Sequence, residues 1–325
     1  IDEIVYGDGQ WGKIHCVNAV TQVEQWFINN PDNGVTSISI ADVDQNGDLE
    51  VLWAANWGTT GADYLYVYDL NTTTQQWKSD AIDGPFYGMQ IADIDNDGSD
   101  EIVAVSYSSE SGYKSGILMV FDATTHELEW KCNGTFFNMV WTGIYDLKIR
   151  DIDNDGVKDI IVAAGQTYTG KIWIVDGVTK ALKSSHLFPS GTKEFYSLDI
   201  DDVDGDGNLD IVAINDKINI IDPLTYVLKW SSPAFTSGYY SKVMISNIDN
   251  DANKEIVVCF GLGVYVADAV THQVWQSNQL ISTYYNTFDL LDFNADGIKD
   301  IICGGYTTGN LDVLDYNNQQ IVSTS

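Results

Sequence analysis

Basic side chains are scarce in this sequence, and their scarcity excludes several classes of partner. The 325 residues contain 16 lysine and arginine side chains against 47 aspartate and glutamate side chains, and Arg150 is the single arginine. The formal net charge of −31 repels nucleic acid and anionic membrane surfaces, because binding to either needs clustered positive charge. We therefore expect no nucleic-acid partner.

Long apolar runs and helical patterns are also missing. No stretch approaches the roughly 18 apolar residues of a membrane span, so we predict no direct membrane insertion. No amphipathic stretch is long enough for a helix. Hydrophobic residues still make up 44% of the sequence, which argues for a large buried core. No signal peptide is visible and the sequence starts at Ile1 instead of Met, so we expect an upstream segment to have been removed. Other domains of a longer chain stay possible partners.

Histidine and cysteine, which carry much of enzyme chemistry, number only four each. The histidines have no motif partner for nucleophilic or zinc chemistry. The cysteines lack metal-binding spacing, so buried free thiols are expected, with a Cys259–Cys303 bridge as the alternative. No glycine-rich phosphate loop leads into a helix. We predict that the chain is not an enzyme.

What the sequence does contain is an acidic nine-residue pattern that occurs six times. Its copies start 45 to 58 residues apart, and a short run rich in β-branched residues follows each copy. Such runs are typical of buried strands. The copies are DVDQNGDLE at 42–50, DIDNDGSDE at 93–101, DIDNDGVKD at 151–159, DVDGDGNLD at 202–210, NIDNDANKE at 247–255 and DFNADGIKD at 292–300.

Each repeat predicts four antiparallel strands. The third strand leads into a tight turn with Asp or Asn first and usually Thr three residues later, as in Asp69 and Thr72, and the fourth strand often carries Trp. Four-stranded units at this spacing are the signature of a β-propeller. We predict an all-β, seven-bladed β-propeller of four-stranded antiparallel blades, without significant helix, as a single domain over 1–325. Strands from the two ends would close one blade, whose first strand is either cut off at the N-terminus or absent.

The acidic loops place oxygen ligands at positions 1, 3, 5 and 9, with a backbone carbonyl available at position 7. Ca²⁺ takes about six to eight oxygen ligands, whereas Mg²⁺ prefers fewer protein ligands and stricter geometry. One such loop could be a solvated turn, but six loops in register favour metal, because clustered carboxylates repel one another unless they are neutralised. An EF-hand is excluded, since its loop is longer and lies between helices. We predict up to about six Ca²⁺ ions.

The loops are not expected to bind equally. Loops 93–101, 151–159 and 202–210 carry four carboxylates at ligand positions, so we expect the tightest sites there. Loop 247–255 begins with asparagine and has Ala252 where the others have glycine, so we expect the weakest site there. The predicted ligands are Asp42, Asp44, Asn46, Asp48, Glu50, Asp93, Asp95, Asp97, Ser99, Glu101, Asp151, Asp153, Asp155, Val157, Asp159, Asp202, Asp204, Asp206, Asn208, Asp210, Asn247, Asp249, Asp251, Asn253, Glu255, Asp292, Asn294, Asp296, Ile298 and Asp300.

These loops, each followed by an apolar strand, resemble the FG-GAP (VCBS-type) repeats of integrin α-subunit-like β-propellers. The resemblance spans nearly the whole chain, with Tyr87-Gly88 in place of the Phe-Gly step and Ala163-Ala164-Gly165 in place of the Gly-Ala-Pro step. It implies a calcium-stabilised propeller that is secreted or held at the cell surface. Such domains serve adhesion, ligand recognition or lectin-like carbohydrate binding, and some are appended to polysaccharide-degrading enzymes.

The strand ends opposite the acidic loops predict a recognition face, because tyrosine and tryptophan are interleaved there with Asn, Ser and Gly. Aromatics six or seven residues before each loop are better explained as core packing between blades: Phe86, Tyr87, Tyr145, Phe195, Tyr196, Tyr240 and Tyr285. Seven aromatics outside that register are the predicted ligand-binding residues: Trp57, Tyr107, Tyr113, Phe137, Trp141, Tyr168 and Tyr306.

These features predict a non-catalytic module that binds a glycan or an extracellular protein ligand. Two alternatives are the propeller domain of a polysaccharide-active enzyme and a structural surface-layer component. A catalytic propeller would need arginine, lysine or histidine converging near its axis, so a single arginine favours the binding module.

Overall fold

The structure is a computed structural model that describes residues 3–7, 12–32, 34–55, 62–82, 84–107, 116–132, 136, 142–166, 169–189, 191–235, 241–249, 251–261, 263–277, 285–305, 311–318 and 320–324. These residues form 27 β-strands and no helix. The strands make seven antiparallel sheets, each built from consecutive strands, which are the blades of a β-propeller. The predicted all-β, seven-bladed fold is confirmed. Within the described ranges, no helix is available to cross a membrane.

One compact unit of the chain contains Glu3–Val17 and Glu24–Glu194 and carries blades 1 to 4. Blade 1 consists of β1 (Glu3–Gly7), β2 (Lys13–Asn18) and β3 (Glu24–Asn29). Blade 2 consists of β4 (Ser37–Ala41), β5 (Glu50–Ala54), β6 (Leu65–Asp69) and β7 (Thr74–Lys78). Blade 3 consists of β8 (Phe86–Ala92), β9 (Glu101–Ser106), β10 (Ile117–Asp122) and β11 (Leu128–Lys131). Blade 4 consists of β12 (Gly143–Arg150), β13 (Asp159–Gln166), β14 (Thr169–Asp176) and β15 (Leu182–Leu187).

A second compact unit contains Asn18–Val23 and the chain from Phe195 onward, and it carries blades 5 to 7. Blade 5 consists of β16 (Ser197–Asp201), β17 (Asp210–Ile214), β18 (Ile218–Ile221) and β19 (Leu228–Ser231). Blade 6 consists of β20 (Ser241–Ser246), β21 (Glu255–Phe260), β22 (Gly263–Asp268) and β23 (Val274–Gln276). Blade 7 consists of β24 (Tyr285–Leu291), β25 (Asp300–Gly305), β26 (Leu311–Asp315) and β27 (Gln320–Thr324).

Blade 1 has three strands in the described part of the chain, whereas the other six blades have four. The strand it lacks is the first strand, which precedes the acidic loop in every other blade. This agrees with the repeat count, which found six acidic loops for seven blades. In the described part of the chain, blade 7 consists of β24–β27 alone. Closure of one blade by strands from both chain ends stays a prediction, and so does a single domain over 1–325.

The second strands of the blades are buried on both faces, which explains their continuous apolar runs. Every side chain of β5, β9, β17 and β21 is buried. The cores lie between neighbouring blades: Leu52 of blade 2 and Val103 of blade 3 share one cluster, and Val257 of blade 6 and Ile301 of blade 7 share another. Since the second strand starts where the acidic loop ends, this packing holds the end of each loop in place.

Candidate functional site

Each acidic loop joins the first and second strands of its blade through the same backbone turn. The glycine at position 6 has φ between +89° and +94° in five loops, a region that favours glycine. Its N–H donates to the carboxylate at position 1, as from Gly47 N to Asp42 Oδ2 (2.9 Å) and from Gly297 N to Asp292 Oδ2 (2.9 Å). The turn therefore folds the first carboxylate back over the loop.

Loop 247–255 takes a different path at this point. Ala252 stands where the other loops have glycine, and it is not among the described residues with a positive φ. Asn247 instead donates through its Nδ2 to the carbonyl of Asp251 (2.7 Å). Ala252 therefore carries no strain from a positive φ, and the prediction that this is the weakest site rests on Asn247.

Position 9 of every loop places a carboxylate in the blade interior. In five of the loops the N–H at position 2 donates to it, for example Ile94 N to Glu101 Oε2 (2.8 Å) and Ile248 N to Glu255 Oε2 (2.8 Å). Burial raises the pKa of Glu101 and of Glu255 to about 7, because the charged form loses its hydration. The exposed fraction is 3% or less for all six carboxylates: Glu50, Glu101, Asp159, Asp210, Glu255 and Asp300.

Carboxylates from one loop converge closely enough to share an ion. In five loops, three carboxylate oxygens lie within 4.8 Å of one another: Asp42, Asp44 and Glu50; Asp93, Asp95 and Glu101; Asp151, Asp153 and Asp159; Asp202, Asp204 and Asp206; Asp249, Asp251 and Glu255. Two oxygens that each lie about 2.3–2.6 Å from one Ca²⁺ are separated by no more than about 5 Å. This spacing and the all-oxygen donor set fit a hard divalent cation.

Three buried oxygens in these clusters have no hydrogen-bond partner, namely Asp93 Oδ1, Glu255 Oε1 and Asp159 Oδ1, and the last of these lies 3.1 Å from the Lys183 ammonium. A buried carboxylate oxygen without a partner is costly, so each is a place where a cation would be stabilising. At position 7 the backbone N–H donates to the side chain at position 5, as from Val157 N to Asp155 Oδ1 (2.8 Å), and use of its carbonyl stays a prediction. Loop 292–300 has Asn294 at position 3, and no three of its carboxylates meet this distance among the described residues.

Two of the loops hold a lysine ammonium among their carboxylates. Lys183 Nζ lies 2.8 Å from Asp153 Oδ2, 2.8 Å from Asp155 Oδ2 and 3.1 Å from Asp159 Oδ1. Lys229 Nζ lies 2.9 Å from Asp204 Oδ2 and 2.8 Å from Asp210 Oδ1, with Asp206 Oδ2 at 3.5 Å. Sequence reasoning missed both lysines. Their shared position, seven residues after the turn aspartate of the same blade, was the available signal.

The FG-GAP-like repeat family matches residues 151–213, which span the acidic loops of blades 4 and 5. The chain is an FG-GAP-type β-propeller. FG-GAP repeats are typical of extracellular proteins. No curated protein matches the sequence significantly.

Many solved structures share the fold of this FG-GAP-type propeller. The Neurospora crassa Pan2 WD40 domain is 12% identical with a TM-score of 0.62, over 94% of this chain and 82% of that one. BBS1N, solved in complex with ARL6DN and soaked with mercury, is 11% identical with a TM-score of 0.58, over 89% and 81%. The V. cholerae biofilm matrix protein Bap1 is 17% identical with a TM-score of 0.56, over 89% of this chain but 45% of Bap1. At these identities the likeness concerns the fold alone.

Neighbouring acidic loops of the FG-GAP-type propeller are joined by side chains. Gln45 Nε2 donates to the Gly98 carbonyl (3.0 Å), and Asn96 Nδ2 donates to the Gly156 carbonyl (3.0 Å), so position 4 of one loop bonds position 6 of the next. Lys158 Nζ returns the contact by donating to the Asp93 carbonyl (2.8 Å). The loops of blades 2 to 4 therefore form a connected row.

The opposite ends of the strands carry a tyrosine cluster. The ring centroid of Tyr107 lies 5.8 Å from that of Tyr87 and 5.4 Å from that of Tyr145, and all three residues are half-buried. Tyr107 is thus the one predicted ligand-binding aromatic whose surroundings are known, because Trp57, Tyr113, Phe137, Trp141, Tyr168 and Tyr306 lie outside the described residues.

The aromatics assigned to core packing fall into two groups. Phe86 and Phe195 are 0% and 1% exposed, as expected of core residues. Tyr87, Tyr145 and Tyr196 are half-buried, so packing between blades leaves part of each ring available. The Tyr240 and Tyr285 side chains lie outside the described part of the structure.

The histidines make aromatic and polar contacts in different blades. His126 stacks on Trp77 and His272 stacks on Trp230, at centroid distances of 4.9 and 4.5 Å. His15 Nδ1 lies 2.9 Å from Glu24 Oε2, and His186 packs on Phe188. The four cysteines are buried and free, with Cys259 Sγ 3.4 Å from Cys303 Sγ, so the expectation of free thiols holds and the bridge is not formed.

Proposed function

We propose that this propeller is an extracellular, non-catalytic recognition module whose acidic loops bind Ca²⁺ and whose opposite strand ends bind a glycan or an extracellular protein. The observation that carries the metal part is the recurrence of a buried carboxylate beside two further carboxylates of the same loop, with the Glu255 Oε1 oxygen lacking any partner. A divalent ion there would neutralise carboxylate charge that is otherwise buried away from water.

The residues that would hold an ion are the carboxylates at positions 1, 3 and 9, as in Asp93, Asp95 and Glu101. The ion would supply charge neutralisation and a link between the two strand ends that the loop joins. The net charge of −31 favours cation uptake over the whole molecule. The calcium concentration outside cells is high enough to fill loops of moderate affinity.

The recognition part rests on the tyrosine cluster of Tyr87, Tyr107 and Tyr145. Half-buried tyrosines offer an apolar face with a polar hydroxyl at low cost in side-chain entropy, which suits sugars and protein surfaces. The cluster lies at the ends of β8, β9 and β12 that are farthest from the acidic loops. The fold of a biofilm matrix protein, Bap1, is compatible with such an extracellular role.

A glycan-array screen in millimolar Ca²⁺, repeated in EGTA, tests this proposal. We expect calcium-dependent binding to one sugar class and its loss in Tyr107→Ala. Tyr226→Ala is the matched control, because Tyr226 is a half-buried tyrosine in the turn on the acidic-loop side of blade 5. Equal loss in both variants, or no binding by calcium-loaded protein to any glycan or extracellular protein, would overturn the recognition part.

The metal part is tested separately by calcium titration calorimetry on chelator-treated protein. Saturable binding is expected, with weaker uptake in Asp95→Asn. The two alternatives, a polysaccharide-active enzyme and a surface-layer component, have no specific observation in their favour among the described residues. Turnover of a polysaccharide or ordered self-assembly would bring them back.

A further inference from the structure

The fourth strand carries a β-bulge at the same place in six of the blades. Four of these blades have both an acidic loop and a described side chain at the bulge. In β7 the strand pairing skips Gln76, because Val67 pairs with Trp77 and Tyr68 pairs with Gln75. The same shift leaves one residue unpaired in three further blades: Glu129 in β11, Lys183 in β15 and Lys229 in β19. A bulge re-aims the side chain of its extra residue, so these four positions are structurally equivalent.

The bulge residue reaches the acidic loop of its own blade. Gln76 Nε2 lies 3.4 Å from Glu50 Oε1, the carboxylate at position 9. Lys183 and Lys229 contact the corresponding Asp159 and Asp210 at 3.1 and 2.8 Å. Glu129 holds the equivalent position in blade 3. In the blades of Gln76, Lys183 and Lys229, the bulge residue therefore faces the same oxygens that would bind an ion.

The two lysine ammonium groups occupy the positions among the carboxylates that a bound metal ion would occupy. Each ammonium lies within 3.1 Å of two or three carboxylates from one loop, and in each case one of these is the fully buried carboxylate at position 9. Only 22% of the Lys183 side chain and 27% of the Lys229 side chain are exposed. A Ca²⁺ ion bound about 2.3–2.6 Å from these oxygens would overlap the ammonium, so the two cations exclude each other.

We infer that the bulge residue decides which acidic loops take a metal ion, and that the Lys183 and Lys229 ammonium groups serve as built-in cations in place of the ion in loops 151–159 and 202–210. The inference rests on the proposed calcium binding by the remaining loops. It reverses the order expected from carboxylate number, because two of the three most acidic loops would be closed to metal. The loop at 93–101 would be the most acidic open site, because it has four carboxylates at ligand positions and no bulge lysine.

Calcium stoichiometry measures this inference directly. We expect chelator-treated protein to bind at most four ions in equilibrium dialysis, one for each loop without a bulge lysine. Lys183→Met and Lys229→Met should each raise the stoichiometry by one ion, and the double variant should raise it by two. Lys131→Met is the control, because it removes the same charge from an exposed side chain two residues after the bulge position of blade 3.

The reverse substitution gives a second test that does not depend on the folding of the methionine variants. Gln76→Lys should lower the stoichiometry by one ion, whereas Gln76→Met should leave it unchanged. The melting temperature, compared between EGTA and Ca²⁺, adds a readout besides binding. The rise from EGTA to Ca²⁺ should be larger for Lys183→Met than for the parent protein.

The outcomes separate this inference from the proposed function. Uptake of six ions by the parent protein, or an unchanged count in both lysine variants, would overturn the lysine inference and leave calcium binding intact. An unchanged count in Gln76→Lys would count against it in the same way. Absence of calcium binding in the parent protein and in all variants would instead refute the metal part of the proposed function.

Discussion

At the scale of single residues, Lys171 is the least expected side chain in the core. It lies in β14 with 1% exposure, and its ammonium donates to Thr142 Oγ1 at 3.0 Å. Burial lowers the pKa of Lys171 to about 8, because a dry environment disfavours the charged form. This lysine therefore works against folding at neutral pH.

We predict that Lys171→Met raises the free energy of unfolding by roughly 1–3 kcal/mol at pH 7. Below pH 8 the lysine is charged in both the folded and the unfolded protein, so burial of its charge lowers the free energy of unfolding. Between the folded pKa of about 8 and the ordinary value of 10.5 the unfolded chain binds more protons, so the parent protein gains stability as pH rises. Urea denaturation at pH 7 to 10 should show the advantage of the variant shrinking, and a pH-independent difference would contradict the account.

The glycine at position 6 of each loop is a second residue-scale requirement. Gly98 has φ of +94°, and a Cβ built on it meets no atom within 4 Å, so the requirement is one of backbone conformation and not of space. We predict that Gly98→Ala lowers the free energy of unfolding by about 1 kcal/mol, measured by chemical denaturation. Ala252→Gly is the matching test. It should not raise the free energy of unfolding, because Ala252 has no positive φ. A rise would indicate that Ala252 is strained after all.

At the scale of elements, the turn after the third strand contacts the preceding blade in blades 3 and 6. The turn aspartate accepts from Thr, as when Asp69 Oδ1 accepts from Thr72 N (2.7 Å), and the next residue takes a positive φ. In blades 3 and 6 that residue is histidine, and its ring lies nearly parallel to the tryptophan of the preceding blade, at 7° for Trp77 with His126 and 6° for Trp230 with His272. The local turn thus positions a contact between blades.

Trp77→Ala should lower the free energy of unfolding by about 2–3 kcal/mol, because the half-buried indole packs on both Phe121 and His126. His126→Asn keeps a residue that tolerates a positive φ and removes only the stacked ring, so about 1 kcal/mol is expected. A double-mutant cycle by urea denaturation measures the coupling between the two rings. Strictly additive losses would show that the stack contributes nothing of its own.

At the scale of the whole molecule, the excess of negative charge dominates. The net charge of −31 destabilises the compact state by self-repulsion unless cations bind or salt screens it. Most of the carboxylates in the acidic loops lie close to one another, so binding of ions there relieves the strongest repulsion. Neutralisation should therefore control stability more than any single contact.

We predict that EGTA lowers the melting temperature strongly, because metal bound only by the folded state adds about 2.7 kcal/mol per site at a hundredfold excess over Kd. Sodium chloride at high concentration should recover part of the loss in EGTA, since the Debye length falls to about 3 Å at 1 M salt. Differential scanning calorimetry measures both effects. A melting curve indifferent to EGTA and to salt would contradict the electrostatic account.

Much of the fold was predictable from the sequence because its determinants are local. Four strands per repeat follow from apolar runs, the turns follow from Asp and Thr three residues apart, and the number of blades follows from counting repeats. The acidic loops were likewise predictable, because all their carboxylates lie within nine residues of one another. For the same reason the burial of Glu101 and Asp159 follows from their place at the start of a buried strand.

The sequence by itself therefore determined the propeller, its blade count and its six acidic loops. Only the tertiary structure decided which loops already hold a cation, since Lys183 reaches Asp159 across two strands and a bulge whose register is not a local property. The tertiary structure also decided the path of loop 247–255 and the grouping of Tyr87, Tyr107 and Tyr145. In each case the deciding contact joins residues from different strands or blades, where pairing register and packing, not residue type, fix the distance.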